Sequence, residues 1–356
     1  MSKIILIKQK DLKSIIVQEG AVIKDVIKRL NKSTRQIALV INKKRKLVGT
    51  ITDGDIRRGL IQKNINLSSN VKLVTNLRPL TFNNKNKNFK KIKNLMLNQE
   101  IHSAPLVDEK HKTIGLLTIR DKSIKKFENM ILIMAGGRGL RLMPLTKKLP
   151  KPMIRVGGKP VLENIINKAK HEGFTNFTIS INYLGKVIES YFGDGKKFGV
   201  NITYIKEKKP LGTAGSIKFL INKNKLPFIV MNGDVISDVN LADLIDFHKK
   251  QKSFSTVVTQ NYYLKHPYGV INTDGFRITK FEEKPSFQAN VNTGVYSFNH
   301  KAISQAKFKG SLNIIDFLDI LKKKQIINAY PIHENWYDIG THEQLKNIKQ
   351  LKKDKE

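Results

Sequence analysis

The sequence predicts an α/β protein: a mostly parallel sheet with helices on both faces over roughly its last two-thirds, preceded by a smaller α/β unit built from an internal repeat. Three observations carry that expectation. From residue 131 onward, short apolar runs of strand length alternate with segments of helical spacing, and such alternation argues for a parallel sheet covered on both sides. A Gly-x-x-Thr-x-x-Asp motif occurs twice, beginning at Gly49 and at Gly115. A short polar, charged stretch, residues 122–128, separates the two parts. The expected domains are therefore residues 1–126 and 127–356.

The elements follow in order. In the first domain each repeat reads helix, strand, charged turn, strand, helix. The leading helices fall at 22–30 and 88–97, where apolar residues recur at helical spacing. Thr52 and Thr118 are expected to end strands, with Asp55 and Asp121 beginning helices. A Thr and an Asp so placed can cap a helix N-terminus. In the second domain, strands are expected at 131–134, 177–181, 202–205 and 227–231, and helices at 161–171, 187–192 and 214–221. In a sheet of this kind a ligand sits at the carboxyl ends of the strands.

At 356 residues and 40% hydrophobic, the composition is that of folded protein. The chain has no cysteine, which excludes disulfides and thiolate metal sites. It has no apolar run long enough for a membrane span, and the apolar part of its N-terminus is short for a signal peptide. A cytoplasmic location is the simplest expectation. Lys and Arg number 65 against 29 Asp and Glu, a formal charge of +36. Such an excess raises nucleic-acid binding. The charge is spread along the chain, however, and no nucleic-acid module is visible. A basic surface serving anionic substrates is the better reading.

The stretch that carries the chemistry begins at Ile131. Four apolar residues lead into Gly136, Gly137 and Gly139, with Arg138 and Arg141 in the same loop and Pro150-Lys151-Pro152 close behind. Glycines let successive backbone N–H groups form a nest for phosphate oxygens. Guanidinium groups bind polyphosphate bidentately. Lys151, stiffened by a proline on each side, suits a transferring phosphoryl group. The loop is not a Walker A motif, since no Gly-Lys-Ser/Thr follows. It is not a dinucleotide fingerprint either, since Leu142 stands where a third glycine would fall.

Gly-Gly-x-Gly-x-Arg-Leu-x-Pro-Leu-Thr followed by Pro-Lys-Pro resembles the signature of the sugar-1-phosphate nucleotidyltransferases, and the resemblance extends over the second domain. It implies a Rossmann-like nucleotidyltransferase sheet, with the Gly136, Gly137, Arg138 and Gly139 loop on the triphosphate and Arg141 and Lys151 as catalytic residues. Gly212 and Thr213, in Leu211-Gly-Thr-Ala-Gly215, match the segment facing the base and ribose. Asp234, at the end of an apolar run, is a natural Mg²⁺ ligand, and the family gives it that role together with Asp338, in Trp336-Tyr-Asp. The resemblance also carries Gly269, Glu283, Asn292 and Thr293 to the sugar and Lys284 to its phosphate. The chain ends soon after Thr341, so the C-terminal β-helix of some members is not expected. The twin Gly-x-x-Thr-x-x-Asp motifs resemble a pair of CBS modules. In those, Thr52, Asp55, Thr118 and Asp121 would hold the ribose of a regulatory adenine nucleotide, or the pair would serve a structural or oligomerising role.

The implied function is transfer of a nucleotidyl group from an NTP to a sugar 1-phosphate, with Mg²⁺ as cofactor and a homo-oligomer as the expected assembly. GTP is the leading base, by similarity to CBS-fused glucosamine-1-phosphate guanylyltransferases of legionaminic acid synthesis. UTP or CTP, or a non-catalytic nucleotide sensor on the same fold, remain open.

Overall fold

The computed structural model describes residues 3–33, 36–62, 65–85, 88–99, 101–120, 126–220, 225–306 and 310–353. The chain divides into two compact units, Met1–Ile124 and Lys125–Glu356. Among the described residues no helix is long and apolar enough to cross a membrane.

The first unit contains β1 (Lys3–Lys8), β2 (Ile16–Gln18), α1 (Ile23–Lys32), β3 (Ile37–Ile41), β4 (Leu47–Thr52), α2 (Asp53–Gln62), β5 (Phe82–Asn83), α3 (Phe89–Asn98), β6 (Ser103–Val107) and β7 (Thr113–Arg120). The repeat is visible in the pairing. β3 lies parallel to β2 and antiparallel to β4, and β6 lies parallel to β5 and antiparallel to β7. Ile23, Val26, Ile27 and Leu30 form one buried stripe of α1, the spacing that an amphipathic helix requires. Leu12, Ile15, Ile37, Leu39, Leu47, Val107 and Leu116 form one cluster drawing on both repeats.

The repeats differ in one respect that the sequence reading missed. β1 runs antiparallel along β7, from Lys3 opposite Arg120 to Lys8 opposite Gly115. That extra edge carries β7 two residues past Thr118, so Thr118 lies within a strand and does not end one. Asp121 and the helix expected after it lie outside the described residues, as do residues 122–125 of the expected linker. The linker's far end is structured: Phe127 is buried and stacks on Phe174, ring centroids 4.6 Å apart.

The second unit contains β8 (Ile131–Met134), a short hairpin of β9 (Arg155–Val156) and β10 (Lys159–Pro160), α4 (Val161–His171), β11 (Asn176–Ile181), α5 (Gly185–Phe192), β12 (Asn201–Lys206), β13 (Phe228–Asn232), β14 (Val235–Ser237), α6 (Leu241–Lys250), β15 (Ser255–Lys265), β16 (Val270–Asp274), β17 (Arg277–Glu282), β18 (Ser286–Phe298), α7 (His300–Gln305), α8 (Ile314–Lys322), β19 (Ile327–Ile332), β20 (Trp336–Asp338) and α9 (His342–Lys353). Its seven-stranded sheet has the order β12-β11-β8-β13-β18-β15-β19. Neighbours are parallel except where β18 meets β13 and β15.

Successive strand side chains point to opposite faces, and the two cores record this directly. Ile131, Ile133, Ile229 and Met231 enter one cluster, covered by α4, α5, α6 and α9. Leu132, Phe228 and Val230 enter the other, covered by α7 and α8. Strands apolar on both faces are what a doubly covered parallel sheet demands. One expected helix is corrected: the stretch after Ala214 is a 3₁₀ segment, Gly215–Leu220. Its first turn closes on an i→i+3 bond from Ile217 N–H to the Ala214 carbonyl, 3.0 Å, and this tighter form is usual in short pieces.

Two antiparallel ribbons leave the sheet. β14 pairs with β20, which sets Val235 opposite Asp338. β15 and β18 stay paired out to Lys265 opposite Ser286, whereas β19 accompanies β15 only as far as Gln260. The connection between β15 and β18 carries the β16–β17 hairpin.

Candidate active site

The glycine loop follows β8, at the carboxyl end of a central strand. Gly139 has φ of +62°, and a Cβ there would lie 2.9 Å from the Thr146 side chain and 3.2 Å from Cβ of Lys151. Glycine is thus required on both conformational and steric grounds. Gly137 is open, with nothing near its missing side chain. The loop is tied down at its far end. Buried Thr146 donates its hydroxyl to the Gly139 carbonyl at 2.9 Å, and the Tyr183 hydroxyl donates to the Lys147 carbonyl at 3.1 Å.

Lys151 then turns inward as the first residue of a 3₁₀ segment, Lys151–Met153, with Pro150 before it. Its side chain is only 12% exposed. The ammonium pairs with the Asp234 carboxylate and lies 3.9 Å from Oδ1 of Asp338. Asp234 reaches this point because Gly233 packs against the end of β8: its N–H donates to the Met134 carbonyl at 2.9 Å, and a Cβ there would lie 3.0 Å from the same oxygen. Asp338 arrives from a segment far along the chain through the β14–β20 ribbon. Burial raises the Asp338 pKa above the usual carboxylate value, and the Asp234 charge raises it further. Lys151 and Arg141 act in the opposite sense. Arg141 itself sits by the turn after Asp338, where a Cβ on Gly340 would lie 3.3 Å from its Nη2.

A cleft of about 250 Å³ opens beside these groups. Gly136, Gly137, Lys151, Gly212, Thr213 and Asp234 all line it. Gly212 has φ of +73°, and a Cβ there would lie 2.5 Å from the Leu312 carbonyl oxygen. Thr213 accepts the Ile314 N–H at the start of α8, 2.8 Å. The base-side loop is therefore bonded to that helix start. Arg138 is exposed and does not line the cleft.

Sequence reasoning missed Glu207, another lining residue. Its carboxylate accepts the Ser180 hydroxyl at 2.6 Å and the Leu211 N–H at 3.0 Å, which fixes it at the wall. The available signal was a single acid among Lys206, Lys208 and Lys209, just before Pro210 and Leu211.

The expected sugar residues are placed differently. None of Gly269, Glu283, Lys284, Asn292 and Thr293 is among the cleft's lining residues. Gly269 lies in the connection between β15 and β16, and Glu283 and Lys284 in the bend between β17 and β18. The Glu283 and Lys284 side chains are 79% and 64% exposed, with Nζ and Oε1 3.7 Å apart, and Gly269 lies beside Glu283. Asn292 uses its Oδ1 to accept the Gly294 N–H at 2.9 Å. Thr293 is turned into the core. It is 1% exposed, its hydroxyl donates to the Val258 carbonyl, and its own carbonyl accepts the Trp336 indole N–H, both at 2.8 Å. Its side chain holds β18 to β15 across the bulge, and its hydroxyl proton is spent on that bond.

In the first unit, Thr52 donates from its N–H (2.8 Å) and its hydroxyl (2.6 Å) to Asp55 Oδ2, and the Asp55 N–H returns a bond to the hydroxyl at 3.3 Å. This reciprocal pairing caps α2. Thr118 has its hydroxyl 3.3 Å from that of Ser103.

Two half-buried carboxylates beside an open cleft fit a hard divalent cation, which takes few protein ligands when phosphate oxygens complete its shell. Residues 130–355 match the family described as Nucleotidyl transferase, and residues 10–62 and 84–121 match the CBS domain. The mannose-1-phosphate guanyltransferase of Yarrowia lipolytica is 34% identical over 217 residues, covering 59% of this chain and 60% of that protein. The UTP–glucose-1-phosphate uridylyltransferase of Synechocystis is 34% identical over 233 residues, with 59% of each chain covered. The chain thus spans about three-fifths of the length of the curated relatives it matches. The crystal structure of a Bacillus anthracis protein assigned as a glucose-1-phosphate thymidylyltransferase superposes with a TM-score of 0.52 at 28% identity, covering 63% of this chain and 96% of that one. Because the family match runs from the strand before the glycine loop to beyond Asp338, over more than half of the sequence, this chain belongs to the nucleotidyl transferase family and carries a tandem CBS domain ahead of the matching region.

Proposed function

We propose that the chain joins a nucleotidyl group from an NTP to a sugar 1-phosphate, with residues 127–356 catalytic and residues 1–126 regulatory. The observation that carries this reading is that Lys151 and Asp234 line a glycine-walled cleft and Lys151 also approaches Asp338. A phosphate oxygen of the sugar attacks the α-phosphorus in line, the bond to the β-phosphate oxygen breaks, and pyrophosphate leaves. No protein nucleophile takes part. The residues position the phosphates and stabilise developing charge. The Gly136–Gly137 backbone, open at Gly137, receives the triphosphate. Arg141 and Lys151 supply fixed and mobile positive charge to the transferring and leaving groups. Asp234 and Asp338 would hold Mg²⁺, which supplies electrostatic stabilisation of the phosphate oxygens. Glu283 and Lys284 meet the sugar and its phosphate from the ribbon.

For the base, Glu207 favours guanine. Guanine presents two adjacent donors, N1–H and the 2-amino group, to a carboxylate. Uracil flanks its single N3–H with two carbonyl oxygens, which a carboxylate repels. The Yarrowia relative, a mannose-1-phosphate guanyltransferase, agrees with that choice. The Synechocystis relative, a uridylyltransferase, keeps UTP as the second reading. The amino-sugar phosphate of legionaminic acid synthesis is the first acceptor to try, followed by mannose 1-phosphate and glucose 1-phosphate. A grid of NTPs against these acceptors, read by pyrophosphate release, tests the proposal. Release only with GTP and one acceptor supports it, release with UTP alone moves the base assignment, and no release with any pair refutes it. In the first unit, an adenine nucleotide held by Thr52, Asp55, Thr118 and Asp121 would alter this activity. The measurement is AMP, ADP and ATP added to the grid's best pair.

A further inference from the structure

The position of Lys151 points beyond a simple phosphate contact. Three charged groups share one partly buried spot: the ammonium of Lys151, 12% exposed, Asp234, 23% exposed, and Asp338, 31% exposed. A divalent cation held by both carboxylates and this ammonium cannot occupy that spot together, because like charges a few ångströms apart repel strongly in a medium less polar than water. The stem of Lys151 starts beside Gly139, since its Cβ lies 3.2 Å from where a Gly139 Cβ would be. The backbone at that point is set by Pro150 and Pro152, so the four-carbon side chain is the movable part.

We propose that Lys151 is the resident counter-ion of the metal site. Its ammonium holds Asp234 and Asp338 together until a divalent cation displaces it, and the displaced ammonium then turns to the phosphates above the glycine loop. The inference rests on the assignment of Asp234 and Asp338 to a divalent cation. It adds a consequence that a fixed phosphate contact lacks. Metal and nucleotide help each other bind, because the metal evicts a charge that only phosphate can receive, and such coupling is reciprocal. Metal alone must compete with the lysine and binds weakly.

The test is calorimetric titration of Mn²⁺ into the intact chain, alone and with a non-hydrolysable GTP analogue, for the wild type, Lys151→Met, Lys151→Gln and Lys151→Arg. Native emission of Trp336, the single tryptophan, verifies that each variant is folded. Mn²⁺ alone should bind the Met and Gln variants at least about tenfold more tightly than wild type. The Arg variant, which keeps a cation, should stay weak. The analogue should tighten Mn²⁺ binding more in wild type than in the Met and Gln variants. Equal Mn²⁺ affinity across wild type, Met and Gln overturns the inference while leaving the metal assignment in place. If wild type binds no Mn²⁺ even with the analogue, or if Asp234→Asn binds it as well as wild type, the metal assignment fails and the inference fails with it.

Discussion

The proposed phosphate end and the proposed sugar end of this site are built differently. At the proposed phosphate end, the groups come from several anchored backbone segments: Asp234 just past β13, Lys151 on a 3₁₀ segment and Asp338 on the β14–β20 ribbon. Gly233 packs on β8, Thr146 anchors Gly139, and the β14–β20 ribbon fixes Asp338. At the sugar end, Glu283 and Lys284 project from ribbons that have left the sheet. Tyr262, Tyr263, Tyr268, Phe276, Phe281 and Phe287 on those ribbons are all exposed. A region with few buried contacts opens at low free-energy cost and can close on a ligand. The difference teaches a division of labour. On the proposed roles, the backbone segments that present the phosphate-handling groups are anchored to the core, and the groups that would select a sugar stand on exposed segments.

The largest effect should come from breaking the rigid end. Asp234→Asn and Asp338→Asn should each lower turnover by at least ~100-fold at saturating metal, because a charge clamp is lost from the transition state. Steady-state kinetics across a metal series measure this, and near-normal kcat in either variant would mean that the carboxylates do not hold the catalytic cation. Next comes Lys151→Ala, which should depress kcat by ~10- to 100-fold and raise nucleotide KM less, since its contact strengthens as charge develops. A change in KM alone would assign it to ground-state binding.

The exposed end should answer in the other parameter. Lys284→Ala should raise the sugar 1-phosphate KM roughly tenfold, with nucleotide KM and melting temperature unchanged, because an exposed cation contributes little to folding. An unchanged sugar-phosphate KM would remove it from the site. A smaller effect separates the ends by stability. The folded-state pKa of Asp338 is raised, so the folded chain binds its proton more readily than the unfolded chain does. Stability from this group is therefore lost as pH rises through the carboxylate range toward that raised value. In metal-free buffer at neutral pH, Asp338→Asn should melt higher than wild type, and a lower melting temperature would contradict the burial argument. Least affected is activity when α2 loses its cap. Asp55→Ala should destabilise the first unit by about 1 kcal/mol in chemical denaturation and leave basal turnover intact.

The contrast between the two ends also sorts what could be read from the sequence. The phosphate end was legible because its constraints are local: glycines at fixed offsets, a lysine between prolines, an apolar run ending in Asp234. The two-faced sheet was legible because its strands are continuous apolar runs, as burial on both faces requires. Glu207 was hidden because its role comes from a fold-dependent bond to Leu211 and a pocket wall. The inward turn of Thr293 was hidden because a motif match carries no information about which way a side chain points. The β1 edge was missed because Lys3 to Lys8 finds its partner more than a hundred residues away. Local pattern cannot report such a pairing, and it is the same pairing that sets Thr118 apart from Thr52.

The most direct test of the central claim follows the α-phosphorus. Wild type and Asp234→Asn are each incubated with α-³²P-labelled GTP and a sugar 1-phosphate, and the products are separated. The account predicts that wild type moves the label into a sugar nucleotide, leaves the released pyrophosphate unlabelled, and does so only when the acceptor is present, while Asp234→Asn moves almost none. Label that stays in GTP with every acceptor, or equal transfer by the two chains, would contradict it.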